Sequence, residues 1–261
     1  MPKRQQEFGY SNFILKYKKD DGVMNDTKNI YKCCDGYNSK YSELADKHFL
    51  VIEIIEHPNA QKDTIGYSDN YYLKLREKES GDIVYYKYET NSEFTFPFIV
   101  MGFLEKQKEL QIGKEYVFTN DVLAGAKDVK TQNPVSIQIG QQWKCVDVNV
   151  DNKDYELSLF VQNTKGQTIT VPFSVIQNNQ LPRKAYTKDE AFALRKRVGI
   201  NSYNRILQQK IGMNMTPEMC RLSWGDPLEI KAERSGKNKT EVWLYSGNSL
   251  TFKNGKLIKI N

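Results

Sequence analysis

The sequence predicts an α+β protein rich in β-structure: two small antiparallel β-modules, barrel-like or meander, followed by a domain of helices on an antiparallel sheet. Three observations predict this class. The 261-residue chain contains 16 Tyr and 12 Phe, residues that favour strands. Short apolar runs separated by Gly turns fill the region before residue 182. Start and stop signals for helices are concentrated after it, and a chain of this length has room for two or three domains.

The first predicted segment, residues 1–45, is an irregular lead-in. It is rich in Lys, Asp, Asn, Tyr and Gly and shows no sustained hydrophobic period. A strand around residues 13–17 is the one regular element that its sequence favours.

The first β-module is predicted over residues 46–125. The run 49–55 is rich in β-branched residues and has the length of a strand. In the next strand, the alternation places Tyr71, Leu73 and Leu75 on one face. A turn at Ser80-Gly81 leads to a returning strand. Further short runs at 94–96 and 98–100 flank Pro97, and a turn and strand over 112–118 close the module.

The second β-module is predicted over residues 126–182. Its strands are an alternating run at 143–150, a strand with Tyr155, Leu157 and Leu159 on one face, and a return after the turn at Lys165-Gly166. The Tyr-x-Leu-x-Leu pattern and the Gly turn after it repeat those of the first module. The second copy has one residue more between the pattern and the turn. An internal repeat and a coincidence between two half-buried hairpins both explain this spacing.

Helices are predicted after a linker at residues 181–184, within a third domain spanning 183–261. Thr187 and Glu190 form a capping box, and Gly199 stops the helix that they begin. A second helix starts at Asn201 or Ser202 and ends at Gly212. Its apolar stripe consists of Tyr203, Ile206, Leu207 and Ile211.

A third helix is predicted from its own capping signals. Thr216 is the N-cap, Pro217 occupies the first helical position, and Gly225 ends the helix. Four strands follow, with a strong hairpin signal at Asn254-Gly255. The aromatic residues here have two interpretations. Trp224, Trp243 and Phe252 seal the sheet against the helices, or Trp224, Trp243 and Tyr245 line an exposed surface that docks a partner.

These C-terminal motifs resemble a known family. Gly-Met-x-x-Thr-Pro-Glu-Met, Trp-Gly-x-Pro, Trp-x-Tyr and Phe-x-Asn-Gly-Lys-Leu follow one another over roughly residues 211–261. In order and spacing they look like the SmpA/OmlA-type domain, of the β-lactamase-inhibitor-protein-like fold. The resemblance implies helices packed on an antiparallel sheet and a role in binding proteins, and it brings no catalytic residues. The whole chain is similar to uncharacterised proteins of Bacteroides-type bacteria.

The C-terminal third is basic. From Leu181 onward the chain carries 16 Lys and Arg against 7 Asp and Glu, although the net charge of the whole chain is only +6. The densest cationic group favours contact with a polyanion, either nucleic acid or an anionic surface; it consists of Arg195, Lys196, Arg197, Arg205 and Lys210. The same cations are also typical of helix C-termini, where they complement the helix dipole.

The motifs of the common enzyme classes do not occur in the sequence. The four cysteines (Cys33, Cys34, Cys145 and Cys220) and two histidines show no metal-ligand spacing. Neither a phosphate-binding loop nor a G-x-S-x-G motif occurs. We therefore expect no catalytic residues, no cofactor and no metal, and reduced cysteines that are mostly structural.

The sequence therefore predicts a non-catalytic protein that binds or scaffolds other proteins, with polyanion binding as the alternative. No apolar stretch after Met1 reads as a signal peptide, and no run is long enough to span a membrane. We expect a cytoplasmic protein, or one of the cell envelope if a leader was removed.

Overall fold

A computed structural model describes residues 7–17, 26–56, 70–89, 97–151, 156–178 and 180–261. The predicted class is confirmed, since the protein is a mixed α+β protein with several antiparallel sheets. The chain divides into two compact units, Met1–Ile99 and Val100–Asn261. No helix in the described residues is both long and apolar enough to cross a membrane.

The strands of the described residues form four open sheets. In chain order they are β1 (Phe13–Ile14), β2 (Cys33–Asp35), β3 (Asn38–Ser39), β4 (Phe49–Glu56), β5 (Asn70–Glu77), β6 (Ile83–Glu89), β7 (Glu115–Phe118), β8 (Gln142–Val150), β9 (Leu157–Gln162), β10 (Thr168–Pro172), β11 (Ala185–Thr187), β12 (Glu229–Ser235), β13 (Asn238–Tyr245), β14 (Asn248–Lys253) and β15 (Lys256–Ile260).

The helices are concentrated in the second unit. They are α1 (Tyr41–Leu44), α2 (Met101–Gln111), α3 (Asn120–Leu123), α4 (Ser174–Gln177), α5 (Lys188–Val198), α6 (Ile200–Leu207) and α7 (Pro217–Trp224), with a 3₁₀ turn at Thr27–Asn29. The sequence analysis missed α2. It also extended α6 to Gly212, whereas the helix ends at Leu207.

The first unit is built around an antiparallel sheet of order β1-β6-β5-β4. β4, β5 and β6 form a meander, and β1 pairs with β6 through Phe13 and Tyr86. Phe13 is buried in the same cluster as Leu73 and Leu75. The segment predicted as an irregular lead-in therefore supplies a strand and a core residue to this unit.

The second unit begins with a five-stranded antiparallel sheet of order β10-β9-β8-β7-β11. One cluster of buried residues packs around Trp143 and includes Leu104 of α2 and Phe173. In β8, a bulge between Cys145 and Asp147 shifts the alternation, so that Val148 rather than Asp147 is buried.

The C-terminal helices lie against the antiparallel sheet β12-β13-β14-β15. The predicted capping box at Thr187 forms, and Thr216 is the N-cap of α7 as predicted, since its hydroxyl accepts from the Met219 amide at 3.3 Å. Trp243 and Phe252 are buried with their ring centroids 4.8 Å apart. The predicted domain of helices packed on an antiparallel sheet is thus present.

The five-stranded sheet and the C-terminal helices share a core. Val117 of β7 and Tyr186 of β11 belong to the cluster that contains Ile206 and Trp243. Antiparallel pairing of β11 with β7 joins residues from both sides of the linker predicted at 181–184. Residues 100–261 thus form one compact unit. The domain boundaries at 45, 125 and 182 stay predictions.

The two predicted meanders are both present, as β4-β5-β6 and β8-β9-β10. The turns at Gly81 and Gly166 both have positive φ, which suits glycine. Tyr155 and the run 94–96 lie outside the described residues. Residues 98–100, predicted as a strand, form no regular element before α2 begins.

Candidate functional site

The outer edge of β4 is the most unusual surface in the described part of the chain. Leu50 is 60% exposed, Val51 49% and Ile54 65%, although all three lie in one regular strand. β4 is the last strand of its sheet, and β5 is its only strand partner among the described residues. An edge strand with bare aliphatic side chains is a template for pairing with another chain.

Aliphatic side chains occupy both faces of β4. Paired residues lie on the same face of a sheet. Val51 and Ile54 pair with the core residues Leu75 and Leu73, and Leu50 pairs with Arg76 on the other face. A bulge between Val51 and Glu53 keeps Val51 and Ile54 on one face, although they are three positions apart. A segment added to this edge would therefore meet apolar groups above and below.

The charges along β4 are unevenly placed. Asp46, Lys47 and His48 precede the strand, whereas the acidic residues Glu53 and Glu56 lie in its second half. Glu53 pairs with Lys74 at 3.1 Å, and Lys47 pairs with Glu79. The second half of the strand therefore carries Glu56 as an acidic residue without an ion-pair partner among the described residues.

The five cations predicted to bind a polyanion are all exposed, but they do not share one direction. Arg195, Lys196 and Arg197 are consecutive in α5, and successive helical residues point about 100° apart. Arg197 forms an ion pair with Glu218 at 3.1 Å. The guanidinium group of Arg205 lies against the backbone at Gly212, so that a Cβ added to Gly212 would collide with it.

Lys210 completes this predicted group. It is exposed, and its carbonyl oxygen accepts a hydrogen bond from the hydroxyl of Ser223 at 2.8 Å. Among the described residues no carboxylate lies within ion-pair distance of Arg195, Lys196 or Lys210. These three cations are available to solvent.

The three aromatics predicted as docking residues are packed against their own unit. Trp243 is 1% exposed, so it is a core residue and offers no contact surface. Trp224 is half-buried and donates from Nε1 to the Gln209 carbonyl at 3.0 Å. Tyr245 donates to the Gly225 carbonyl at 3.1 Å and packs edge-on against Trp224. Their packing agrees with the interpretation in which aromatics seal the sheet.

The four cysteines lie in two different settings. Cys145 and Cys220 are fully buried, and burial raises the pKa of their thiols to about 11 and about 12. Thiols with such pKa values are poor nucleophiles at neutral pH. The sulfurs of Cys33 and Cys34 contact each other. His48 is exposed, and His57 lies outside the described residues.

No metal site stands out in the described ranges. They contain no group of three or more His, Cys, Asp or Glu side chains placed to hold a metal. A cavity of about 430 Å³ beside α3 is lined mainly by aliphatic groups such as Leu123, Val135 and Ile137. Among the described residues that line it, Lys127 is the only ionisable one.

Sequence reasoning predicted β4 as a strand but did not select it as a site. The signal that could have found it is the absence of alternation over 49–55, because such a strand has apolar groups on both faces. A run of this kind is usually buried at the centre of a sheet. Its place at an edge depends on which strands pair.

Comparison with known proteins gives no relative. No family model, curated protein or solved structure matches the chain. The resemblance to the SmpA/OmlA-type domain stays a prediction, and function is inferred from the geometry of this chain.

Proposed function

We propose that this chain is a non-catalytic protein that binds other proteins by adding an extended segment to the edge of β4. The observation that carries the proposal is the exposure of aliphatic side chains on both faces of this edge strand. Soluble proteins usually shorten, charge or cover such an edge. An added strand would satisfy the outer backbone groups of β4, which have no strand partner among the described residues, and remove these side chains from water.

The chemistry of β4 defines the segment that would bind it. Both faces are aliphatic, so the segment needs apolar side chains on both of its own faces. Glu56 is exposed and has no ion-pair partner among the described residues, which favours a cation opposite the acidic end of the strand. A short extended segment of apolar residues with a basic end meets these requirements.

The C-terminal helices and sheet give a second, separate argument for a binding role. Its helices α5 to α7 cover the sheet β12 to β15, the arrangement that the resemblance to SmpA/OmlA-type domains implies. The resemblance further implies binding to proteins. The two buried thiols offer no nucleophile in this unit.

Polyanion binding through the basic C-terminal third is the alternative, and Arg195, Lys196 and Lys210 are its free cations. Affinity for a polyanion falls steeply with added salt because binding releases counterions. Apolar strand addition responds weakly to salt. The salt dependence of any complex therefore separates the two functions.

The first experiment places the photo-reactive residue p-benzoylphenylalanine at position 54 of the full-length chain and irradiates it in a lysate of the source organism. The matched control places the same residue at Leu228, which is 79% exposed and belongs to the other unit. We expect one abundant crosslinked product from position 54 that is absent from position 228. Mass spectrometry of the product should locate the crosslink in an extended apolar segment.

The result that overturns the proposal is equal crosslinking, or none, at the two positions. Binding of the chain to an immobilised polyanion that moderate salt abolishes would favour the polyanion alternative.

A further inference from the structure

We propose that a small cavity in the first unit is a binding site for one ring of a neutral sugar. The cavity has a volume of about 190 Å³ and lies where residues 10–14 meet the hairpin of β2 and β3. No described residue of β4 lines it, so the site is separate from the strand edge proposed above. Its volume suits a ligand smaller than the drug-sized molecules that occupy larger pockets.

The walls of this cavity are held together by the backbone. Tyr10 and Ser39 exchange both of their backbone hydrogen bonds, at 2.8 and 3.0 Å. On the other side, Ile14 forms a bridge with Ile30. The two segments are in close contact, since a Cβ added to Gly9 would lie 2.1 Å from the carbonyl oxygen of Ser39. The site is therefore preformed, which lowers the entropic cost of binding.

Ser39 lines the cavity and has a hydroxyl without a partner. The residue is fully buried, and its Oγ forms no hydrogen bond with any described residue. Its amide and carbonyl are both paired with Tyr10, so the hydroxyl is the one polar group of Ser39 left over. A buried hydroxyl without a partner is destabilising. A ligand hydroxyl can remove this penalty because it both donates and accepts.

The cavity has room for more than a single water molecule. An ordered water needs only about 10–15 Å³, which is a small part of this volume. A molecule with several hydroxyls would fill the space and still offer one of them to Ser39.

The polar part of the lining is uncharged. Its side chains are hydroxyls and amides, as in Ser11, Asn12 and Asn38, and the described lining residues include no Lys, Arg, His, Asp or Glu. The amide nitrogen of Asn38 donates to the Phe8 carbonyl at 2.7 Å, which fixes the side chain and leaves its oxygen as an acceptor. A phosphate, carboxylate or ammonium group would find no opposite charge here. This chemistry selects a neutral ligand.

Two tyrosines supply the aromatic surface on which a sugar ring packs. Tyr37, in the turn between β2 and β3, lines the cavity and is 75% exposed. Tyr10 also lines it, and its ring stacks on Tyr41 with 5.6 Å between centroids, which fixes its orientation. The C–H groups of a pyranose pack on an aromatic face while its hydroxyls bond to nearby polar groups. An exposed ring beside hydroxyls and amides therefore fits a sugar better than an apolar ligand.

The experiment is saturation-transfer NMR of the full-length chain with glucose, galactose, mannose and N-acetylglucosamine, each titrated separately. Glucuronate and glucose 6-phosphate are the charged counterparts. We expect at least one neutral sugar to bind with a millimolar dissociation constant. Tyr37→Ala should raise this constant at least about tenfold, because it removes the exposed ring. Phe192→Ala, which removes a ring that is 69% exposed in the other unit, should leave it unchanged.

A pair of serine variants separates binding from folding. Ser39→Ala removes a hydroxyl that has no partner, so it should weaken sugar binding about tenfold without lowering the thermal unfolding midpoint. Ser223→Ala removes a buried hydroxyl that donates to the Lys210 carbonyl at 2.8 Å. It should lower the unfolding midpoint and leave sugar binding unchanged.

Three results would overturn the proposal. They are no saturation transfer from any neutral sugar, a response to the charged sugars alone, and binding that neither Tyr37→Ala nor Ser39→Ala weakens. A fall in the unfolding midpoint of Ser39→Ala would overturn the role given to its hydroxyl, since the group would then have a structural partner. Crosslinking from position 54 tests a different surface, so the proposed function stands or falls separately.

Discussion

At the scale of single residues, two buried carboxylates stabilise turns by accepting hydrogen bonds from backbone amides. Glu77 accepts hydrogen bonds from the amides of Glu79 and Ser80, at the turn between β5 and β6. Asp128 accepts from the amides of Thr131 and Thr168, both at 2.8 Å. The contact between Asp128 and Thr168 joins a loop to a strand 40 positions away, so sequence spacing gives no sign of it.

Glu77 makes the stability of the first unit depend on pH. Hydrogen bonds from Ser80 and from the amide of Glu79 lower the pKa of its carboxyl from 4.5 to about 2. Because the pKa is lower in the folded state, the carboxylate stabilises the fold above pH 4.5, and this contribution is lost as the pH falls toward 2. Glu77→Gln should cost about 1–2 kcal/mol at neutral pH, the usual loss when a buried hydrogen bond is broken.

Urea unfolding at a series of pH values measures both effects. The variant should show a weaker fall in stability between pH 4.5 and 2 than the wild type. Glu43→Gln, an exposed carboxyl in the same unit, is the control and should leave the profile unchanged. A profile for Glu77→Gln that parallels the wild type would show that Glu77 does not act in this way.

At the scale of elements, the two α-helices capped by a threonine hydroxyl, α5 and α7, are both predicted from the sequence. At the start of α5, the Glu190 amide donates to the Thr187 hydroxyl at 3.4 Å, and the Glu190 carboxylate accepts from the Thr187 amide at 2.8 Å. Thr187→Ala removes the hydroxyl and should lower stability by about 1 kcal/mol. Thermal unfolding followed by circular dichroism measures the change.

Thr187→Ser provides the control for this capping interaction. Serine retains a hydroxyl in the same position, so its stability should lie close to that of the wild type. If both variants are equally destabilised, the methyl group rather than the cap is responsible.

The helix that the sequence analysis missed, α2, lacks these local signals. Its N-cap is Val100, which makes no side-chain capping bond, and its C-cap is Ile112 rather than glycine. Only Leu104 is buried along its length, so no wide apolar stripe marks it. The helix depends on the packing of Leu104 into the core of its own unit, around Trp143, which a single sequence does not reveal.

The candidate site was predictable as an element but not as a surface. The apolar run over 49–55 predicts the strand, and its exposure follows from the order of strands in the sheet. For the aromatic residues, the residue type suggested an exposed surface that the structure does not have. Trp243 is attractive as a docking residue because of its chemistry, yet the helices cover it. Burial depends on contacts between distant segments, and residue type alone does not determine it.

At the scale of the whole molecule, the position of the cores explains the two compact units. The first unit has its own cluster around Leu75 and Tyr86. In the second unit, Val117 and Tyr186 connect the five-stranded sheet to the core beneath the C-terminal helices. A linker and a change of period predict a domain boundary at residue 182. Buried residues from both sides of that point share one core.

Two units with separate cores should lose structure in separate cooperative steps. Leu75→Ala creates a cavity in the first core and Phe252→Ala creates one in the second. Each should lower the free energy of unfolding by about 2–5 kcal/mol. We expect Leu75→Ala to accelerate hydrogen exchange in β5 and β6 while leaving β13 and β14 unchanged, and Phe252→Ala to do the reverse. Exchange in the full-length chain, followed by mass spectrometry in increasing denaturant, makes the comparison. Acceleration of both regions by either variant would mean that the chain unfolds as one cooperative body, because a cavity in one core would then have weakened the other.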